Sequence, residues 1–175
     1  RKEGYWNGAV WMPYQWFFWK TALDLGSGDF AHQIGNTALS LWKAEVEASY
    51  YCFEHFLIES GRGAGWHQFS GLSSPVLSWF SAYHRPGRLT AGLDIWVEEQ
   101  HFADDNRSFT GRLRLTSSPR TVTILVNMQP GPQYTVLWNG QRINKEEINP
   151  GSFQIDIHFE SQIGHLEILM DESSL

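Results

Sequence analysis

The sequence has a single cysteine, Cys52, among its 175 residues. One cysteine forms no disulfide within the chain and builds no cysteine-ligated metal site. His32, His55 and Glu59 lack a metal-binding spacing, and no HExxH motif occurs. A Gly-x-Ser-x-Gly elbow and a phosphate-binding loop are also missing. The sequence therefore predicts neither a metal nor another cofactor, and it argues against a serine hydrolase or a nucleotide enzyme.

Positive charge is also scarce. Lys and Arg number 13 against 19 Asp and Glu, which gives a formal net charge of -6. Nucleic-acid binding depends on basic side chains that neutralise phosphates, so we expect no nucleic-acid partner. The apolar residues 10–19 are too few to span a bilayer and are interrupted by Pro13 and Gln15, so we expect no membrane partner. The sequence begins with Arg1 and shows no signal peptide, which indicates a chain cut from something longer and leaves its compartment open.

Aromatic residues, in contrast, are abundant, at 15% of the chain with nine Trp. Eight of the nine lie between Trp6 and Trp96, and Trp138 follows alone. For any single Trp, burial in a core of large rings is the more frequent explanation. A sugar site is the other, because indoles stack on the C–H faces of pyranose rings. For the cluster as a whole we favour the sugar site.

The first half of the chain has helical periodicity. Apolar residues at helical spacing predict helices over about 11–25, 30–56 and 74–83, with Asp29 capping the second. The glycine-rich residues 60–65 predict a flexible loop.

The apolar spacing changes after Pro86-Gly87 to the alternation typical of strands. Six or seven short runs follow, and Asn139-Gly140 predicts a hairpin turn. These runs pass through Ile95, Leu113, Ile124, Val136, Ile155 and Ile168. The pattern predicts an antiparallel β-sandwich.

Three clusters in the helical half combine aromatic, polar and glycine residues, at 5–13, 53–56 and 63–72. Their order resembles the closing segment of the (α/α)6-barrel glycoside hydrolases that include processing α-glucosidases, mannosylglycerate hydrolases and trehalases. In that group a Tyr-Trp-x-Gly-x-x-Trp-x-Pro segment lines the sugar subsite, a Tyr-Glu-x-Tyr-like segment provides the general base, and a Phe-Ser-Trp-Ser-like segment begins the last helix. The matching residues here are Trp6, Gly8, Trp11 and Pro13 for the first, Glu54 for the second, and Phe69 and Ser70 for the third.

The resemblance covers about residues 4–85. It implies that residues 1–86 are the last helices of an (α/α)6 toroid. With the alternation that follows Pro86-Gly87, the predicted fold class is an α-then-β chain in which this helical segment precedes an antiparallel β-sandwich, residues 87–175. Two positions depart from the family, since Asn7 stands where Arg is frequent and Gly71 where an aromatic is expected.

The resemblance also implies that Glu54 is the general base. From the residues alone, a solvated charge at a helix end is the more frequent explanation. Glu59 is the nearest rival, and Glu45 and Glu47 are expected to be solvated in the middle of the second helix. The predicted substrate residues are Trp6, Asn7, Gly8, Trp11, Trp66 and His67. His67 would bind a sugar hydroxyl or orient Glu54, with a loop histidine bonded to backbone as the alternative.

Glycoside hydrolysis needs a second carboxyl group. In the family it is an Asp from upstream of the first cluster, and no residue here matches it. Asp24 and Asp29 flank a glycine turn and are interpreted as helix-end residues. We therefore expect the general acid to come from outside this chain.

These observations predict the C-terminal portion of an inverting glycoside hydrolase that acts on an α-glucoside or related sugar and is inactive in isolation. Its apolar helices would associate with the remainder of the catalytic barrel or with another subunit. The alternative is a noncatalytic carbohydrate-binding or structural module. In the enzyme, Glu54, Trp6 and His67 would meet in one concavity, whereas in the module exposed aromatics would lie on a face of the sandwich.

Overall fold

The computed structural model describes residues 5–171, apart from the side chain of Leu72. Arg1, on which the expectation of a longer chain rests, lies outside the described residues. These residues form two compact units. Unit 1 comprises residues 5–19 and 29–80, and unit 2 comprises residues 20–28 and 81–171.

The described helices are α1 (Met12–Asp24), α2 (Gly28–Ser49), α3 (Ser70–Ser73) and α4 (Pro75–His84). The end of α1 is a glycine turn, in which Gly26 has a φ of 66° and the amide of Ser27 donates to the carbonyl of Ala22 at 2.9 Å. A left-handed glycine of this kind satisfies the last carbonyls of a helix. Pro75 occupies the first position of α4, where its missing N–H costs nothing.

Helix α2 ends at Ser49, earlier than the predicted end near residue 56. The next residue, Tyr50, has a φ of 61°, a left-handed conformation that ends the helix. The hydroxyl of Ser49 accepts from the amide of Tyr51 at 3.2 Å and stabilises this turn. Residues 50–54 therefore leave the helix axis and lead into a strand that begins at His55.

Unit 1 also contains a small antiparallel sheet of β1 (Ala9–Val10), β2 (His55–Leu57) and β3 (Gly63–Ala64), in the order β1-β2-β3. Its register pairs Val10 with Phe56 and His55 with Ala64. Helices and a loop, without strands, were predicted for the chain up to about residue 85. This prediction is wrong, because β1, β2 and β3 precede residue 83.

Unit 2 contains the remaining described strands: β4 (Arg88–Thr90), β5 (Ile95–Phe102), β6 (Ser108–Leu115), β7 (Thr121–Asn127), β8 (Tyr134–Trp138), β9 (Gln141–Ile143), β10 (Glu146–Asn149), β11 (Ser152–His158) and β12 (Ile163–Met170). They form a four-stranded sheet, β10-β11-β7-β4, and a five-stranded sheet, β5-β6-β12-β8-β9. Buried residues of both sheets, among them Ile124, Ile155, Phe109 and Leu166, form one hydrophobic core. This arrangement agrees with the predicted antiparallel β-sandwich.

The predicted fold class, the last helices of an (α/α)6 toroid followed by a sandwich, is wrong. Within residues 5–171 there are only three helices of more than one turn, and three antiparallel sheets make the chain mostly β. Helical periodicity identifies single helices, but it does not fix how many helices assemble or around which axis. None of the helices in the described part is long and apolar enough to cross a membrane.

Asp24 is buried in unit 2, where its carboxylate accepts from the amides of Leu93 at 2.7 Å and Asp94 at 3.1 Å. We expect Asp24→Ala to lower the free energy of unfolding by about 2–3 kcal/mol, because two amides lose a buried, charged acceptor. Urea unfolding of the variant measures this loss. The control is Asp29→Ala, because Asp29 is an exposed residue in the first turn of α2. This substitution should lower the free energy of unfolding by at most about 1 kcal/mol. An Asp24→Ala variant as stable as the control would contradict this account.

Candidate functional site

The segment that contains Glu54 connects α2 to β2 and lies alongside residues 66–69. The amide of Glu54 donates to the carbonyl of Trp66 at 3.0 Å, and the amide of Phe69 donates to the carbonyl of Cys52 at 2.9 Å. These bonds hold the backbone of Glu54 against the chain that follows β3. Glu54 is therefore fixed by hairpin contacts rather than by a helix end.

The carboxylate of Glu54 accepts on both oxygens. The hydroxyl of Tyr5 donates to Oε1, and the amide of Trp66 donates to Oε2 at 3.4 Å. The hydrogen bond to Glu54, burial and the negative charge of Glu54 together hold the pKa of Tyr5 above its ordinary value of 10.0, so Tyr5 stays a neutral donor. The side chain of Glu54 is 16% exposed, which leaves the carboxylate partly accessible from solvent.

His55 is the third group at this carboxylate. Its Nδ1 lies 3.8 Å from Oε2 of Glu54, beyond hydrogen-bond distance. Among the described residues this buried nitrogen has no hydrogen-bond partner. A shift of a few tenths of an ångström would let it donate to Glu54 or to a bound water.

Gly65 gives the carboxylate its space. A Cβ at this position would lie 2.4 Å from Oε2 of Glu54 and 2.9 Å from Cε1 of His55. Its φ of 77° is also a conformation that side chains disfavour. The glycine is therefore required for both the turn and the close approach.

One aromatic group lies on the N-terminal side of Glu54 and consists of Tyr5, Trp6 and Trp11. The rings of Trp6 and Trp11 stack at 4.1 Å with an interplanar angle of 21°, and Trp11 also stacks on His55 at 5.1 Å. The indole nitrogen of Trp11 donates to the carbonyl of Tyr5 at 2.9 Å. Trp11 is 1% exposed and Trp6 is 56% exposed, so Trp6 presents the accessible ring and Trp11 supports it.

A second aromatic group consists of Tyr51, Trp66 and His67. The ring of His67 lies 4.7 Å from Tyr51 and 6.1 Å from Trp66, on which it stacks. All three residues are exposed. The two aromatic groups meet at Glu54, because Tyr5 of the first and Trp66 of the second each donate to its carboxylate.

Of the predicted site residues, some contact Glu54 directly or through one other side chain, and the rest lie further away. Trp66 contacts Glu54 directly, and Trp6 and Trp11 reach it through Tyr5 and His55. Asn7 is exposed and Gly8 half-buried in the turn before β1, and His67 contacts Tyr51 and Trp66. Sequence reasoning missed Tyr5 and His55 as partners of Glu54, although both adjoin predicted site residues in the chain.

Glu45 differs from the expectation of a solvated residue, because its side chain is buried. Its carboxylate accepts from Nε of Arg62 at 2.7 Å, from Nη2 of Arg62 at 3.1 Å and from the amide of Gly63 at 2.8 Å. Glu47 is exposed and pairs with Lys43 at 2.6 Å. Within residues 5–171, no group of three or more His, Cys, Asp or Glu side chains is placed to hold a metal ion.

Comparison with known proteins adds little to this geometry. No protein-family model matches the chain, and no curated protein matches it. Among solved structures it is similar to the alpha-L-fucosidase isoenzyme 2 from Paenibacillus thiaminolyticus, with a TM-score of 0.36 and 11% sequence identity over 59% of this chain. The matched part spans 19% of that protein. A TM-score this low does not establish a shared fold, so any function must be argued from the site itself.

Proposed function

We propose that the cluster around Glu54 is a carbohydrate-binding site and that Glu54 is the general base of an inverting glycoside hydrolase. The substrate is an α-glucoside or a related sugar. The general acid comes from polypeptide outside the described residues or from another subunit.

The observation that supports this proposal most directly is the position of one carboxylate between two aromatic groups, each of which has an exposed Trp ring. Trp6 and Trp66 offer flat apolar faces suited to the C–H faces of a pyranose ring. Glu54, Tyr5 and His55 offer acceptors and donors beside those faces. A site with apolar walls and a few convergent polar groups is the usual form of a small-ligand site.

The chemistry follows from these positions. The carboxylate of Glu54 takes a proton from water, and the water oxygen bonds to the anomeric carbon. The glycosidic bond breaks on the opposite face, and its oxygen leaves as an alcohol after it receives a proton from the general acid. Inverting enzymes keep the two carboxyl groups about 6.5–9.5 Å apart, which leaves room for this water.

Trp66 provides a matched test of sugar binding. We expect Trp66→Ala to weaken the binding of a glucoside by about 30-fold or more, because truncation of a central Trp removes at least about 2 kcal/mol at a binding site. Binding is measured by calorimetry with nonhydrolysed thioglucosides, on the complete polypeptide. The control is Trp96→Ala, since Trp96 on β5 is 66% exposed and Trp66 is 62% exposed.

The same pair of variants separates the two candidate functions. A loss of affinity at Trp66 and none at Trp96 supports the site at Glu54. Loss at Trp96 alone would favour a noncatalytic module that binds sugar on the sandwich and would contradict the proposal. Binding that neither variant weakens would contradict it as well.

A further inference from the structure

Glu45 is an unusual residue for the interior of unit 1. It lies in the last turn of α2, and its side chain is 2% exposed while that of its partner Arg62 is 61% exposed. Burial of a carboxylate is costly unless hydrogen bonds replace its hydration. Three N–H groups do so here, two from Arg62 and one from Gly63. The hydrogen bonds of Arg62, opposed by burial and aided by the amide of Gly63, lower the pKa of Glu45 to about 2, so the carboxylate is ionised at neutral pH.

The two residues that Glu45 holds are at the start of β3. The carbonyl of Arg62 accepts from the amide of Leu57 at 2.9 Å, and Gly63 pairs with Phe56 across the hairpin. Directly after β3, the chain reaches Gly65 and then the amide of Trp66, which donates to Glu54. The anchor on α2 and the donor to Glu54 are thus joined by a short stretch of paired backbone.

A slip of this strand would move several parts of the site together. Gly65 approaches Glu54 so closely that a Cβ there would lie 2.4 Å from Oε2. The ring of Trp66 and its amide belong to the same residue, so a displaced strand would change both the stacking face and the hydrogen bond. The bidentate geometry of an arginine with a carboxylate resists such a slip, because it fixes orientation as well as distance.

We propose that Glu45 is a positioning residue that holds β3 through Arg62 and Gly63, and so sets the position of the Trp66 amide and ring relative to Glu54. The inference rests on the proposed function, because it assigns Glu45 an effect on hydrolysis. The part that concerns the position of β3 is measurable without any substrate.

The experiment compares Glu45→Gln with Glu47→Gln in the complete polypeptide. Glu47 is the matched control, since it lies two residues away on the same helix but is exposed and paired with Lys43. Four quantities are measured: hydrogen exchange at the amides of residues 62–66, kcat for an aryl α-glucoside, KM for the same substrate, and the midpoint of thermal unfolding.

We expect Glu45→Gln to speed exchange at residues 62–66 by about tenfold and to lower kcat by about tenfold, at a temperature where the variant stays folded. KM should rise as well, because the ring of Trp66 shifts with its amide. The rise should be smaller than the loss of affinity in Trp66→Ala, because the ring is displaced and not removed. Glu47→Gln should change none of these quantities. A positional shift of about 1 Å at a catalytic group costs up to about 100-fold in rate, so a tenfold loss corresponds to a smaller displacement.

Two results would overturn the inference. One is exchange at residues 62–66 that matches wild type in Glu45→Gln. The other is a fall in kcat no larger than the fall in folded fraction, which would leave Glu45 with a stability role alone. If Glu45→Gln does not fold, Arg62→Lys takes its place, because Arg62 is mostly exposed and lysine keeps the charge without the bidentate geometry. Either of these two results in Arg62→Lys would then overturn the inference.

Failure of the proposed function gives a different pattern. If Glu54→Gln leaves hydrolysis intact, Glu54 is not the base, whatever Glu45→Gln does. If Glu54→Gln abolishes hydrolysis while Glu45→Gln changes neither exchange nor kcat, Glu54 remains the proposed general base and Glu45 is not a positioning residue.

Discussion

We expect Glu54→Gln to lower kcat for glycoside hydrolysis by about 10²–10⁴-fold, the usual contribution of a general base. The amide keeps the shape of the side chain and an oxygen that accepts from Tyr5. Its NH2 group cannot accept from the amide of Trp66, so only the longer hydrogen bond, at 3.4 Å, is lost. It has no basic carboxylate to take a proton from water. The loss should therefore appear in kcat, with a smaller change in KM. The measurement is steady-state hydrolysis of aryl glucosides, trehalose and short α-glucans by the complete polypeptide.

Glu59→Gln is the control for this prediction. Glu59 is exposed and lies in the connection between β2 and β3, five residues from Glu54. Its replacement removes the same charge from the same hairpin and should leave kcat within about twofold. A Glu54→Gln variant that keeps more than about a tenth of wild-type kcat would remove Glu54 from the role of base. A large loss in Glu59→Gln alone would move that role to Glu59.

Gly65→Ala should lower kcat by about 100-fold, although the substitution adds only a methyl group. Its Cβ would lie 2.4 Å from Oε2 of Glu54 and close to the ring of His55, so the carboxylate or the turn must move. A shift near 1 Å at a catalytic group is enough for a loss of this size. Steady-state kinetics measures the loss, and hydrogen exchange at the Trp66 amide reports the movement of the turn.

Gly140→Ala separates the effect of the contact from the effect of backbone strain. Gly140 and Gly65 have the same φ of 77°, but a Cβ at Gly140 meets nothing within 4 Å. Each substitution should cost about 1–2 kcal/mol in stability from the left-handed conformation. Only Gly65→Ala should change kcat. Equal kinetics in the two variants would mean that Glu54 tolerates the added methyl group and that Gly65 serves the turn alone.

Local patterns predicted several elements correctly. The structure confirms α1, the start of α4 at Pro75, and the hairpin at Asn139-Gly140, where both residues have positive φ and Trp138 pairs with Gln141. Each of these features depends on neighbours within a few residues. Short-range sterics and hydrogen bonding decide them, so the sequence contains the information directly.

The end of α2 and the small sheet could not be predicted in this way. Helical spacing continues through Tyr50 and Phe53, and a tyrosine is not a usual left-handed residue at a helix end. The strands β1 and β3 have two residues each and exist because β2 lies between them. Such pairing depends on residues tens of positions apart in the chain.

The candidate site shows the same division. Trp6, Trp66 and Glu54 were predicted from their types and order, although their roles in binding and catalysis stay predictions. The donation from Tyr5 to Glu54 joins residues 49 positions apart and follows from packing alone. Glu45 was expected to be solvated because it lies in the middle of the predicted second helix. Its partner Arg62 lies 17 positions later in the chain, so local spacing does not reveal the pair.

The sequence by itself determined the composition of this protein, the spacing that makes α1 and α4 helices, and the alternation that makes the second half a pair of antiparallel sheets. Tertiary structure alone decided that the first half contains a sheet and that α2 stops at Ser49. It also decided that the carboxylate of Glu45 is buried and bonded to Arg62 and Gly63 instead of being solvated. The physical reason is the separation in sequence over which each interaction acts. Periodicity and turn chemistry act between near neighbours, whereas burial, ion pairing and the space left by Gly65 depend on which distant segments pack together.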